Sequence, residues 1–136
     1  MIIKKANVDV GLLLLRIAVG VTFIAHGWSK FMNIEGTTAF FAGLGLASLF
    51  VYFVAAVELV GGLAVLFGLF TDVAGILLAI NMVFAIILVK FSKGLLGGYE
   101  FDLVLLLAAL GIAFAGPGKY VLKWGARASE RISLGQ

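Results

Sequence analysis

Four apolar runs, each long enough to cross a bilayer, leave this chain little choice of fold. A helix needs roughly 17–25 predominantly apolar residues to span a hydrocarbon core of about 30 Å. Runs of that kind lie near Val8–Lys30, Leu44–Phe70, Val73–Val89 and Leu95–Ala115. Lipid offers no water to unpaired backbone groups, so each run must close its own hydrogen bonds as a helix. With 63% of 136 residues apolar and 12% charged, the polar surface is too small to coat a soluble core. The expected fold class is all-α: an integral membrane bundle of four transmembrane helices, forming a single domain over residues 1–136, multi-pass in the cell (cytoplasmic) membrane.

The first run follows Lys4 and Lys5 as a secretory signal would, but it is too long and ends without a small-residue cleavage site, so it is expected to be a retained helix. Between the second and third runs only Thr71-Asp72 intervenes, which predicts a tight helical hairpin. The connections "NIEGTTAFFAGLG" and "KFSKGLLGG" carry the glycines and polar residues of helix ends. After Ala115, "GPGKY" stops the last helix and leads into a basic tail, 116–136, expected along the interface. The side with both termini holds Lys4, Lys5, Lys119, Lys123, Arg127 and Arg131, and the other holds Lys30, Lys90 and Lys93. The positive-inside rule then predicts cytoplasmic termini, with Trp28 and Tyr99 at the outer interface and Tyr120 and Trp124 at the inner one.

Several chemistries are excluded. No cysteine is present, which removes disulfides, thiol chemistry, iron–sulfur clusters and the usual zinc sites. A single histidine, His26, cannot build a multi-histidine metal or haem site within one chain, so no metal or haem is expected from this chain alone. The net charge of +3 is spread thinly, without a nucleic-acid-binding face.

The polar residues inside the spans carry what function there is. Counting inward from Lys30 at 1.5 Å per residue, Arg16 lies roughly 21 Å down, and Glu58 lies about 18 Å below Leu46 on the second run. Matching depth and the expense of a lone intramembrane charge predict a buried Arg16–Glu58 pair, with Asn81 completing the layer. Such a pair reads more readily as a device that fixes helix register than as a catalytic couple. Nearer the outer surface stand His26, Lys30 and the acids opening the last run, Glu100 and Asp102. Lys30 also suits a snorkelling anchor, and acids in a first turn are favoured by the helix dipole alone. Being two apart, Glu100 and Asp102 point in different directions, and Glu100 is the preferred candidate. Lys30-Phe31 and Lys90-Phe91 end the first helix of each hairpin, the kind of weak internal repeat that some transporters show.

"RIAVGVTFIAHGWSKF", "AAVELVGGLAVLFGLF" and "GGYEFDLVLLLAALGIAFAGPGKY" resemble the three signature regions of the DoxX family of small four-helix membrane proteins. The family's arginine, glycine and His-Gly-x-x-Lys pattern falls on Arg16, Gly20, His26, Gly27 and Lys30. Its glutamate before a Gly-Gly pair falls on Glu58, Gly61 and Gly62, and its acid opening the last helix on Glu100. Where the family often has a serine and an aspartate after the Gly-x-Gly step, this chain has "KYVLKW". The resemblance implies a membrane subunit of a quinone-linked oxidoreductase, as in thiosulfate:quinone oxidoreductase, or of an oxidative-stress redox complex, acting with a protein partner or as a homo-oligomer. On that reading His26, Glu100 and Lys30 are the proton-handling groups, and His26, Trp28 and Tyr99 flank a quinone. The alternative is a non-enzymatic scaffold or small transporter whose buried charges are structural.

Overall fold

The computed structural model describes residues 7–123. The expected Trp124 belt position and the tail beyond Lys123, with the charges at Lys4, Lys5, Arg127 and Arg131, lie outside the described residues. Five α-helices follow in order: α1 Val8–Met32, α2 Ile34–Gly43, α3 Leu49–Phe67, α4 Thr71–Ala85 and α5 Glu100–Ala115. Four helical stretches, Val8–Met32, Leu49–Phe67, Thr71–Lys93 and Leu95–Ala115, are long and apolar enough to cross a membrane. The chain is an all-helical, multi-pass membrane protein.

Local chemistry sets the helix ends. Asn7 caps α1 by accepting from the Val10 N–H at 3.2 Å, and Asp9 adds an acid to its first turn. Asn33 closes α1 and opens α2, accepting from the Gly36 N–H at 3.3 Å. α3 ends at Gly68, whose φ of +73° allows the Val65 and Ala64 carbonyls to accept from the N–H groups of Gly68 and Leu69 respectively. The hairpin turn is therefore Gly68–Phe70, a few residues earlier than the expected Thr71-Asp72. Those two residues begin α4, where the acid suits the helix dipole.

The other two connections are more ordered than their composition predicts. "NIEGTTAFFAGLG" is mostly the short helix α2, which inserts Phe41 into the interior. The α4–α5 connection continues through a π-helical turn, Ile86–Lys90, and a 3₁₀ turn, Phe91–Lys93. Gly94 and Gly97, at φ +77° and +71°, then reverse the chain into α5.

α1 packs chiefly on α3, and α4 on α5. Small residues set the first interface: a Cβ on Gly27 would lie 2.6 Å from the Leu59 nitrogen, and one on Gly20 2.9 Å from the Gly62 carbonyl oxygen. Gly75 does the same for the second pair, where a Cβ would meet the Ala109 carbonyl oxygen at 2.6 Å. The core between the two hairpins, α1 with α3 and α4 with α5, is apolar, with Phe23, Val65, Leu78, Ala109 and Ile112 fully enclosed. Polar groups gather at its two ends.

Candidate functional site

The end of the bundle near the chain termini belongs to Arg16, which is only 1% exposed. Its guanidinium donates to four carbonyls: Nε to Val65 at 2.9 Å, Nη2 to Leu66 at 2.8 Å, and Nη1 to Pro117 and Tyr120 at 2.7 Å each. The planar five-donor fork meets the open C-terminus of α3 and pins the segment after α5 against it. Asp9 holds the same segment from α1, accepting from the Lys119 N–H at 3.0 Å.

The expected Arg16–Glu58 pair is absent. Side chains on a helix lean toward its N-terminus. On the antiparallel α1 and α3, Arg16 therefore reaches toward the termini while Glu58 reaches the opposite way. The depth match also counted from Leu46, whereas α3 begins at Leu49. Glu58 instead accepts from Lys30 Nζ at 2.5 Å and from Asn81 Nδ2 at 2.8 Å. Lys30, near the end of α1, leans inward and meets it.

The same relationship recurs in the second hairpin. Lys90 leans back from the π turn that extends α4, Asp102 leans toward the N-terminal end of α5, and Nζ meets Oδ2 at 2.6 Å. A nine-residue separation would put Asn81 and Lys90 about 180° apart on a regular helix. The π turn absorbs one extra residue and brings them to about 80°. Sequence reasoning counted Lys90 as a loop charge and ranked Asp102 below Glu100. The repeated Lys-Phe at 30 and 90 was the available signal.

Both pairs line one cavity of about 220 Å³ at the end of the bundle away from the termini. Its polar wall is His26, Lys30, Glu58, Asn81, Lys90 and Asp102. Phe40 and Phe41 of α2, with Leu44 and Leu46 beyond it, line the wall on that side. An apolar groove of about 420 Å³ between α3 and α4 adjoins it, and Phe41, Val54, Asn81 and Phe84 line both. Phe50, Phe53, Ile80 and Phe84 of the groove are exposed on the outer surface of the bundle.

The remaining expected site residues fall differently. His26 is exposed and lines the cavity, its ring centroid 6.4 Å from that of Phe101. Glu100 is exposed and accepts from the Gly97 N–H at 3.2 Å, so it braces the turn into α5 and does not line the cavity. Asp102 is the acid that turns inward. Trp28 is exposed on α1, and Tyr99 stacks on Phe91 with centroids 6.2 Å apart. Neither lines the cavity, because the helical phase of Trp28 differs from that of Lys30 by about 200° and Tyr99 lies in the turn before α5.

Among the described residues no group of three His, Cys, Asp or Glu side chains could hold a metal ion. No solved structure matches the chain. Among curated proteins it is similar to "Putative oxidoreductase CatD" of Bacillus subtilis, 45% identical over 108 residues, covering 79% of this chain and 81% of that protein. It is also similar to "Uncharacterized membrane protein Rv3486" of Mycobacterium tuberculosis, 36% identical over 124 residues, with 79% and 76% covered. "Inner membrane protein YqjF" of Escherichia coli is 38% identical over 63 residues, with 46% and 48% covered. The DoxX family model matches residues 11–91, which carry Arg16, His26, Lys30, Glu58, Asn81 and Lys90. The chain belongs to the DoxX family of membrane proteins.

Proposed function

We propose that this protein is the membrane subunit of a quinone-linked oxidoreductase and binds a quinone headgroup in the cavity between its two hairpins. One observation carries the reading: two lysine–carboxylate pairs line a small cavity that adjoins an apolar groove on the outer surface of the bundle. A volume of about 220 Å³ is small beside drug-sized sites of roughly 300–1,000 Å³. It suits a single ring, with an isoprenoid chain lying in the groove. A bound quinone supplies two-electron, two-proton chemistry in a lipid-soluble ring.

The chain's own residues supply binding and proton handling. The ammonium groups of Lys30 and Lys90 donate hydrogen bonds to ring oxygens, and the carboxylates of Glu58 and Asp102 hold those ammonium groups in place. His26, exposed and lining the cavity, gives it an imidazole that can donate to or accept from a bound ring oxygen. Electrons come from a partner chain, since the sequence has no cysteine and the described residues offer no group of three His, Cys, Asp or Glu side chains to hold a redox metal. The name of the Bacillus subtilis relative, an oxidoreductase, points the same way. The charge asymmetry of the loops supports a cavity open to the outer side of the cell membrane.

The test is saturable binding of a short-chain benzoquinone to the full-length protein in lipid nanodiscs. Wild type binds above the level of empty nanodiscs, and Val54→Trp, in the wall shared by cavity and groove, loses that binding while keeping its melting temperature within a few degrees. A folded wild type with no saturable binding overturns the proposal and leaves the buried charges as a structural scaffold.

A further inference from the structure

One carboxylate oxygen in the cavity is left free by its own neighbours, beside a lysine with donors to spare. Asp102 Oδ2 accepts from Lys90 Nζ at 2.6 Å, and among the described residues Oδ1 makes no hydrogen bond. Among those residues every fully buried side-chain nitrogen or oxygen has a partner. Oδ1 is therefore not sealed, and Asp102 lines the cavity. Lys90, with 32% of its side chain exposed, has three ammonium hydrogens, of which the carboxylate takes one. Glu58 differs, since each of its oxygens already holds a hydrogen bond, one from Lys30 and one from Asn81.

The backbone is shaped to make this couple. Lys90 reaches the cavity because the Ile86–Lys90 turn is π-helical, and single π turns in α-helices are frequent at functional sites. A spare donor and a spare acceptor, side by side, match a group that both accepts and donates. A quinone oxygen only accepts. It can take a hydrogen from Lys90, but its lone pairs then face those of Oδ1, which stays unsatisfied at a cost. A quinol hydroxyl accepts from Lys90 and donates to Oδ1 in a charge-assisted bond.

We infer that Lys90 and Asp102 make the cavity selective for the reduced, quinol form over the oxidised quinone. This rests on the quinone reading above and adds the redox state that the site prefers. Tighter binding of the reduced form raises the midpoint potential of the bound couple, by about 30 mV for each tenfold of preference in a two-electron couple. Asp102 is a binding residue here, and no bond is made or broken in the inference.

The experiment measures, under anaerobic conditions in nanodiscs, Kd for a one-isoprene benzoquinone and for its quinol on the full-length protein, with melting temperatures on the same samples. Wild type binds the quinol at least about tenfold more tightly, as expected for one charge-assisted hydrogen bond. Asp102→Asn weakens the quinol about tenfold and the quinone less than about threefold, so the preference disappears. Lys90→Met weakens both forms. Equal affinity of wild type for the two forms, or a preference that survives in folded Asp102→Asn, overturns the inference while leaving a quinone site in place. Folded wild type that binds neither form overturns the quinone reading, and this inference with it.

Discussion

Lys30 and Glu58 join α1 to α3 through a 2.5 Å contact in which the carboxylate is nearly enclosed and the ammonium only partly so, with side chains 4% and 20% exposed. That asymmetry decides what each removal costs. Lys30→Met strands an enclosed carboxylate with Asn81 as its remaining partner, and destabilises by about 3 kcal/mol, at the lower end of values for broken buried pairs. Glu58→Gln keeps the hydrogen-bonding shape and frees a lysine long enough to turn outward, so it costs about 1 kcal/mol. The double variant loses less than the sum. Reversible unfolding in mixed micelles measures all three, and equal costs for the two single changes contradict the asymmetry.

Arg16 works independently of that pair. Arg16→Lys keeps the charge but replaces a planar fork with a point donor of three hydrogens, so at least one of the four carbonyls loses its partner. We expect a loss of about 2–4 kcal/mol from broken charge-assisted bonds and faster tryptic cleavage at Lys119, in the segment that Arg16 pins. In a cycle, Arg16→Met and Glu58→Gln should add to within about 0.5 kcal/mol, as unconnected sites do. A coupling above about 1 kcal/mol would show that the two charges communicate.

Most of the fold was legible because lipid restricts the possibilities so strongly. Run length alone located the four spans, and three of their eight ends fall within a residue of the observed ones at Val8, Leu95 and Ala115. The pairings inside the bundle were less legible, because depth was counted to Cα positions while side chains lean toward helix N-termini. For Arg16 and Glu58 that lean separates two groups that a Cα ruler brings together. Asp102 and Lys90 were hidden for another reason. A regular helix turns Lys90 away from Asn81, and nothing in "AIILVK" announces the π turn that brings it back. Glu100 attracted attention as the family's acid, yet its carboxylate is used by the local turn through Gly97.

The glycines that let the hairpins close give a prediction with an internal control. A methyl at Gly27 or Gly75 would meet backbone atoms of the facing helix at 2.6 Å, which cannot rotate away. Gly27→Ala and Gly75→Ala should each destabilise by about 1–3 kcal/mol through forced separation of helices. Gly111→Ala meets nothing within 4 Å and should be neutral or slightly stabilising, as helix propensity alone dictates. Melting temperatures of the three variants in one detergent make the comparison. If Gly111→Ala falls as far as Gly27→Ala, close helix approach is not what the glycines provide.

Which side of the membrane the cavity faces follows from orientation, and labelling decides it. Loop charge predicts that both termini are cytoplasmic. The chain contains no cysteine, so single cysteines report without background. Glu35, exposed on α2 near the cavity end, and Lys123, exposed after α5, lie at opposite ends of the bundle. In intact cells Glu35→Cys should react with a membrane-impermeant thiol reagent, and Lys123→Cys should react only after lysis. That pattern opens the cavity and the exposed His26 side chain to the outer aqueous phase. The reverse pattern would turn the cavity and His26 toward the cytoplasm.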